Sequence, residues 1–522
     1  MKIERIKNTK RSMITGSLLR IFQILVPFIM RSLMIREMGE EYLGLSSFFT
    51  SILNVLNLAE LGVGSAMVYS MYKPIAEDDH DTLRALVRLY RRYYRVIGLA
   101  VLVMGLLLTP FLPYLVKSDL PADLNLYILY FMNLGAAVLS YWLFAYKTSL
   151  LTAYQRNDVI NLIMLAFQIV QSALQFYIVL CLQNYYLYVA AVILCQILNN
   201  ICGAVATNRL YPDLQPRGEV PPESRKEIAG HIKDIFLARI GGVVLNSADT
   251  LVISAMLGLS QLAVYQNYFF IVTAIYGFVE LLLGSMLAGL GNVAVQETDE
   301  KKYEVFRKLS FLYTVLVFTC VCCFAGLFQP FMTIWMGEEY LLSYGMVVSF
   351  CVYFMVYEYT RFFNTFKSAS GAWHQDRFRP LISAGVNLTL NLITVRYLQL
   401  YGIVWSSIVA LGLIELPWLI HNIFSILYDR SYQKSYLSKL LRFCLGGAAA
   451  WIITMVLTNL IHLNVWITFV LSGIISVAAP AAIYLLAYRR EEEYNSGMAL
   501  LDKAINYKLP LRRLYDAGSN EQ

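Results

Sequence analysis

Apolar residues are grouped along this chain in fourteen blocks of about 18 to 30 residues, which polar or charged segments separate. A helix rises 1.5 Å per residue, so that roughly 20 such residues cross a hydrocarbon layer of about 30 Å. The pattern therefore predicts an all-α integral membrane protein with about 14 transmembrane helices. The blocks lie at about 12–36, 43–72, 94–116, 125–147, 158–181, 184–207, 234–257, 262–288, 309–335, 342–366, 380–397, 402–427, 443–461 and 465–488.

The longest connection between blocks, at 209–233, is rich in proline and charge and follows the sixth block. We expect it to be a cytoplasmic linker between an N-lobe at 1–208 (TM1–6) and a C-lobe at 234–428 (TM7–12). Six helices are an even number, so both lobes begin on the same side of the membrane and are related as a parallel repeat with pseudo-two-fold symmetry. Two extra helices follow at 429–488 (TM13–14). The cytoplasmic tail at 489–522 is predicted to begin with a short helix and to continue as disordered chain.

A sequence repeat supports the two lobes. The segment ELGVGSAM at 60–67 has the counterpart ELLLGSML at 280–287, at an offset of 220 residues. At an offset of 219 residues, Arg20 in block 1 falls on Arg239 in block 7. An intramembrane carboxylate and an intramembrane arginine are therefore predicted to recur in corresponding helices.

Composition agrees with this class of protein and excludes nucleic acid as the reason for the basic charge. The chain is 58% hydrophobic and 15% charged, with a mean hydropathy of +0.56, which is outside the range of soluble globular proteins. When both termini are placed in the cytoplasm, 35 of the 42 Lys and Arg residues fall in cytoplasmic segments. The positive-inside rule thus explains the net charge of +7 and predicts a multi-pass protein of the cytoplasmic membrane with both termini cytoplasmic.

Several charged side chains fall inside the apolar blocks, where each costs at least a few kcal/mol unless it faces a partner or water. They are Arg20, Arg31, Glu60, Arg239, Asp249, Glu280, Glu358, Arg361 and Glu415. Arg20 and Arg31 share one face of block 1, with snorkelling to opposite interfaces as the alternative to a cavity. Glu358 and Arg361 are three residues apart and can pair within one helix.

Glu60 and Glu280 are expected to neutralise arginines of neighbouring helices, with the repeated Arg20 and Arg239 as candidates. Polar stripes run along two further helices: Asn161, Gln168 and Gln175 on block 5, and Asn387, Asn391 and Thr394 on block 11. Such stripes either join helices to each other or face water. Together with the buried charges they favour a solvated central cavity.

Signatures of enzyme chemistry are absent from the sequence, which has no glycine-rich phosphate loop and no HExxH motif. No cofactor and no metal ligand set is predicted. No soluble domain is large enough to hydrolyse ATP, so the energy for transport would come from an H+ or Na+ gradient, from the membrane potential or from consumption of the substrate on the far side.

The chain resembles the Wzx-type oligosaccharide flippases of the MOP (multidrug/oligosaccharidyl-lipid/polysaccharide) exporter superfamily, which also includes the MurJ-like lipid II flippases and the MATE antiporters. Three stretches carry the resemblance, which covers blocks 1 to 12. They are GEEYLGLSSFFTSILNVLNLAELGVGSAMVYSMYKPIAEDD (39–79), RIGGVVLNSADTLVISAMLGLSQLAVYQNY (239–268) and TRFFNTFKSASGAWHQDRFRPLISAGVNLTLN (360–391), the last followed by YGIVWSSIVA.

The resemblance implies a V-shaped pair of six-helix lobes that works by alternating access. It implies that oligosaccharide repeat units on undecaprenyl pyrophosphate are flipped from the inner to the outer leaflet for capsule, exopolysaccharide or O-antigen synthesis, with a polysaccharide polymerase and glycosyltransferases as partners. Arginine is a natural bidentate ligand of pyrophosphate. The candidates for substrate binding are Arg20, Arg31, Arg239 and Arg361. The candidates for charge partners or gating groups are Glu60, Asp249, Glu280, Glu358 and Glu415.

Two other functions remain open at this stage. A MATE-like multidrug or cation antiporter would need a less cationic cavity than the arginines indicate. A membrane-embedded glycan polymerase or ligase would be an enzyme, and such proteins usually carry a large extracytoplasmic loop. Every predicted outer loop here has about ten residues or fewer.

Overall fold

The computed structural model of the chain describes residues 5–117, 120–121, 123–296, 299–369, 376 and 378–504. Its regular structure is helical, and the described residues contain no strand, so the predicted all-α class is confirmed. The chain divides into two compact units, at 1–267 and 268–522. The predicted linker at 209–233 lies within the first unit, and the predicted lobe boundaries stay a prediction.

The first unit is built from ten helices and the beginning of an eleventh, which crosses the boundary between the units. They are α1 (Arg5–Glu37), α2 (Glu40–Leu56), α3 (Val63–Ala76), α4 (His80–Leu108), α5 (Leu112–Leu115), α6 (Leu126–Trp142), α7 (Ala145–Ala153), α8 (Asn157–Tyr177), α9 (Tyr185–Leu210), α10 (Pro222–Met256) and α11 (Leu259–Gln296).

The second unit continues α11 and adds eight helices. They are α12 (Asp299–Trp335), α13 (Tyr344–Ala369), α14 (Arg379–Leu398), α15 (Leu400–Val409), α16 (Leu416–Ile426), α17 (Ser431–Asn459), α18 (Val465–Tyr488) and α19 (Glu492–Ala504). A π-helical turn joins α15 to α16 without a break.

The described residues contain eleven spans long and apolar enough to cross a membrane, or twelve when α6 and α7, bent by 52°, count as one. The predicted number of fourteen is therefore not confirmed. The helices α10 and α13 coincide with predicted blocks 7 and 10 but fall outside the eleven. Each carries two of the charged residues named above, which lower its hydropathy.

Predicted block 2 is not one helix, contrary to our expectation. The helix α2 ends at Leu56, a 3₁₀ turn covers Asn57–Glu60, and α3 begins at Val63. Between them Gly62 has a φ of 88°, and a Cβ atom there would lie 2.9 Å from the carbonyl oxygen of Ile232. Glycine meets both demands, because it tolerates positive φ and close backbone approach.

Large apolar side chains on the helix surfaces are exposed, as the membrane class requires. On α17, Leu441, Leu445 and Ile452 are 62%, 62% and 59% exposed, whereas Thr454 on the same helix is fully buried. Apolar side chains that face outward from a helix whose own polar side chain is inside need lipid around them. The prediction of a multi-pass membrane protein is confirmed.

The two extra helices α17 and α18 pack on α12 within the second unit. Aromatic rings fill the contact, and they include Phe311, Phe443, Tyr484 and Tyr488. The ring of Tyr494, from the tail helix α19, packs on Phe311 at a centroid distance of 6.0 Å. The predicted short helix in the tail is thus present and docked, and residues 505–522 lie outside the described part of the chain.

A buried carboxylate fixes α19 to its neighbours. Glu493 is 1% exposed, and its Oε1 lies 2.6 Å from Arg307 Nη2 on α12 and 2.6 Å from Lys439 Nζ on α17. Burial alone would raise the pKa of Glu493, but the hydrogen bond from Lys439 and the charges of both cations outweigh burial and lower it. The ionised carboxylate therefore contributes to docking.

We expect Glu493→Gln to weaken the docking of α19 by roughly 1 to 3 kcal/mol, less than for a fully enclosed pair because both cations are partly exposed. Hydrogen exchange of the α19 amides measures this loss of protection. Since the folded pKa is below the usual 4.5, the contribution is complete above about pH 4.5 and is lost as pH falls through the folded value. The control is Glu492→Gln, at an exposed position. Equal protection in the two variants would contradict the assignment.

Candidate functional site

The break between α2 and α3 opens a cavity of about 400 Å³ inside the first unit. One wall comes from the end of α2, the 3₁₀ turn and the start of α3, and the other comes from α10. The polar side chains that line the cavity are Asn54, Asn57, Glu60, Ser65, Arg239 and Ser247. Because Gly62 allows α10 to approach closely, the break places Glu60 and Arg239 in one cavity.

Glu60 is held by phenols instead of by an arginine. Tyr94 donates a hydrogen bond to its Oε1, and Tyr141 donates one to its Oε2 over 3.0 Å. Tyr141 Oη also lies 2.8 Å from Asn57 Oδ1, and Tyr90 donates to Tyr94 over 2.9 Å. Among the described residues Glu60 has no ion pair within 4.0 Å, so the expected partnership with Arg20 or Arg239 is wrong. The 3₁₀ turn, with 120° per residue, changes the face on which Glu60 lies.

A second cavity of about 560 Å³ reaches Glu60 from the side of α4 and α7. Its lining is aromatic and hydroxylic, and it includes Glu60, Tyr69, Tyr72, Tyr90, Tyr94, Thr148, Ser149 and Thr152. Glu60, Gly64 and Ser65 line both cavities. The carboxyl group of Glu60 thus stands between an arginine-containing cavity and a tyrosine-rich one.

The three arginine candidates of the first unit differ in their surroundings. Arg239 is exposed to the first cavity and makes no ion pair with the described residues within 4.0 Å. Arg20 is exposed on α1. Arg31 is partly buried and donates a hydrogen bond over 3.2 Å to Asn267, which is fully buried. Of these three, Arg239 is the one that lines the cavity with Glu60.

In the second unit, Arg361 is compensated by two carboxylates. Its Nη2 lies 3.5 Å from Glu280 Oε1, and its Nη1 lies 3.7 Å from Glu358 Oε1. The pair with Glu358 is the intrahelical one that the spacing allows. The partner of Glu280 is a neighbouring arginine, as expected, but it is Arg361 where Arg239 had been the candidate. Unlike Glu60, Glu280 is exposed and lies within an unbroken helix, α11.

A tyrosine repeat that sequence reasoning missed joins the two units' carboxylate sites. Glu358 is fully buried and accepts a hydrogen bond from Tyr313. Tyr313 lies 219 residues after Tyr94, the offset that relates Arg239 to Arg20. In each unit the tyrosine at this repeated position donates to a glutamate, Glu60 or Glu358. The repeat therefore preserves the phenol and changes the helix that supplies the carboxylate.

A buried ion cluster surrounds Glu415. Its Oε2 lies 2.5 Å from Arg379 Nη1, while Arg379 Nε and Nη2 bind Asp376 at 2.7 and 2.8 Å. Lys367 Nζ lies 2.5 Å from Asp376 Oδ2. Two cations thus compensate two anions, all of them 9% exposed or less. Asp249, on α10, is also buried.

The polar stripes join helices. Asn387 and Asn391 on α14 are fully buried, and Asn387 donates to Ser407 over 2.8 Å. On α8, Asn161 donates to Thr15 of α1 over 3.3 Å. These hydrogen bonds correct the expectation that both stripes line a solvated cavity, because apolar surroundings make a second helix the available partner.

This architecture, helical bundles with charged and tyrosine-rich cavities inside a membrane-spanning chain, is that of a membrane transporter. Similar solved structures agree. The structure of lipid II flippase MurJ in an inward closed conformation matches with a TM-score of 0.66 and 12% identity, over 92% of this chain and 98% of that one. The chain has the fold of the MOP superfamily transporters.

Two MATE structures also match. An inward-facing MATE family transporter of the MOP superfamily has a TM-score of 0.54 and 13% identity, over 81% of this chain and 99% of that one. The Vibrio cholerae MATE transporter VcmN has a TM-score of 0.52 and 13% identity, over 80% and 98%. No family model and no curated protein sequence matches the chain. At these identities the likeness concerns the fold and leaves the substrate open.

Proposed function

We propose that the protein flips undecaprenyl-pyrophosphate-linked oligosaccharide repeat units from the inner to the outer leaflet of the cytoplasmic membrane by alternating access. The product would feed the synthesis of a surface polysaccharide, and both termini would be cytoplasmic. The resemblance to the Wzx-type flippases and the similarity to a lipid II flippase support a lipid-linked substrate. The observation that carries the proposal is the exposed Arg239 in a polar cavity.

Arg239 suits a pyrophosphate because its guanidinium group is not committed to a described carboxylate. The amide side chains of Asn54 and Asn57 line the same cavity and offer further hydrogen-bond donors. A guanidinium group binds phosphate oxygens in a bidentate manner, so Arg239 is the first choice among the four candidate arginines. Arg361, which faces two carboxylates, is a weaker candidate for the head group.

A complementation experiment tests the proposal. Deletion of the gene should leave lipid-linked repeat units facing the cytoplasm, and Arg239→Ala should reduce their export roughly 10- to 100-fold, since it removes charged hydrogen bonds to the substrate. The matched control is Arg396→Ala, which removes an exposed arginine on α14. Membrane abundance of each variant shows that it inserts. Normal export by alanine variants of Arg20, Arg31 and Arg239 would disprove the cavity assignment.

A cation antiporter is the second candidate, favoured by one observation. The cavity of about 560 Å³ combines a carboxyl group with several tyrosine rings, which together can bind an organic cation. The same arginine variant separates the two functions. Loss of Arg239 should leave cation export intact or increase it, and should abolish export of a pyrophosphate-linked lipid.

A further inference from the structure

Glu60 occupies an unusual position for a carboxylate inside an apolar protein. Both of its oxygens accept hydrogen bonds from phenols, and no described cation lies within 4.0 Å of them. It lines the cavity that contains Arg239 and also the tyrosine-rich cavity on the side of α4. A carboxylate with these neighbours has little compensation for its charge, so its protonated form is accessible.

We propose that Glu60 takes up a proton when a pyrophosphate group binds at Arg239, so that substrate binding and H+ uptake are coupled in the first unit. This inference rests on the proposed function and adds the residue and the ion that would couple it to an energy source. The chemical class of the second ligand is thus a proton.

A proton fits the hydrogen-bonding pattern better than Na+ does. Tyr94 and Tyr141 already occupy one oxygen each, whereas a bound metal cation would need several oxygens turned toward it. The hydroxyl groups of Tyr90 and Tyr94 form a chain that ends on Glu60 and begins at the tyrosine-rich cavity. A proton from water enters at Tyr90, each hydroxyl passes its own proton forward, and Glu60 becomes a neutral acid.

Electrostatics links the two ligands. An ionised Glu60 repels a pyrophosphate in the cavity that it shares with Arg239, and protonation removes this repulsion. Arg239, on α10, is the one charged group besides Glu60 that lines either cavity. The linings from α2 and α7 hold no charged or titratable side chain. The titratable groups that face Glu60 from α3, α4 and α6 are Tyr69, Tyr72, Tyr90, Tyr94 and Tyr141.

The test measures proton uptake during binding of farnesyl pyrophosphate, a soluble polyprenyl pyrophosphate, by the purified full-length protein. Calorimetry at pH 8 in two buffers of different ionisation enthalpy gives the number of protons. We expect about one proton per protein for the wild type and near zero for Glu60→Gln, which should still bind. The matched control Glu77→Gln, at an exposed carboxylate, should keep the wild-type value.

The outcomes separate the inference from the proposed function. Binding without proton uptake by the wild type, or uptake that persists in Glu60→Gln, would overturn the inference and leave the flippase proposal intact. A wild type that does not bind farnesyl pyrophosphate any better than Arg239→Ala would overturn both. Infrared difference spectra of the wild type, which need no variant, should show a new carboxylic acid C=O band on binding. Absence of that band would also overturn the inference.

Discussion

Replacement of Arg379 by alanine is expected to remove most of the folded protein from the membrane. Arg379 is 5% exposed and joins Asp376 and Glu415, both of which are buried. Without it, Lys367 is left as the one described cation within 4.0 Å of Asp376, and Glu415 loses its ion-pair partner. Removal of one member of a buried charge cluster costs about 3 to 5 kcal/mol, a large part of the stability of a protein.

Thermal unfolding of the purified protein in detergent and abundance in the membrane fraction measure this loss. The same helix offers the matched control Arg396→Ala, since Arg396 is exposed, and it should change little. Arg379→Lys should fall between the two, because lysine keeps the charge and loses the bidentate contact with Asp376. If Arg379→Ala and Arg396→Ala unfold at the same temperature, the cluster does not stabilise the fold.

Much of the helical architecture follows from the sequence, because the length of an apolar block and the charge of its flanks are local properties. Each of the fourteen blocks coincides with helical segments of the structure. The interruptions were not predicted. In block 2 the signal was available in Gly62 and Gly64, since glycine inside an apolar run marks a bend or a close approach. In block 4 the break at Phe144, with a φ of 63°, has no such residue to mark it.

The candidate site shows where local reasoning ends. The sequence identifies Glu60 as a buried carboxylate because charge inside an apolar run is rare. It does not identify the partners, since Tyr94 and Tyr141 are 34 and 81 residues away and look like ordinary core aromatics. A partner on another helix depends on helix rotation and on the break at Gly62. Buried carboxylates in such chains therefore need to be tested against tyrosines as well as against arginines.

The repeat offset supplies the missing signal. Tyr94 and Tyr313 occupy equivalent positions, and each donates to a glutamate of its own unit. A search at the offset of Arg20 and Arg239 for any polar aromatic residue would have found this pair. The two sites then diverged, because Glu358 lies near Arg361 while Glu60 has no such partner within 4.0 Å among the described residues. This asymmetry places the uncompensated carboxylate in the first unit, where the proton is proposed to bind.

Gly44→Ala is expected to prevent the first unit from packing correctly. A Cβ atom at Gly44 would lie 2.2 Å from the carbonyl oxygen of Leu259 and 2.9 Å from its carbonyl carbon, so α2 would have to move away from the start of α11. Small residues allow such close backbone contact between membrane helices, and an added methyl group without room costs at least about 2 kcal/mol.

The matched control for Gly44→Ala is Gly242→Ala on α10, where a Cβ atom would meet no other atom within 4 Å. Alanine favours a helix over glycine, so this control should be neutral or slightly stabilising. The unfolding temperature and the monodisperse fraction after detergent extraction compare the two variants. The large difference between them follows from the backbone of Leu259, which cannot rotate away as a side chain can. If Gly44→Ala matches its control, α2 does not pack against α11 at this distance.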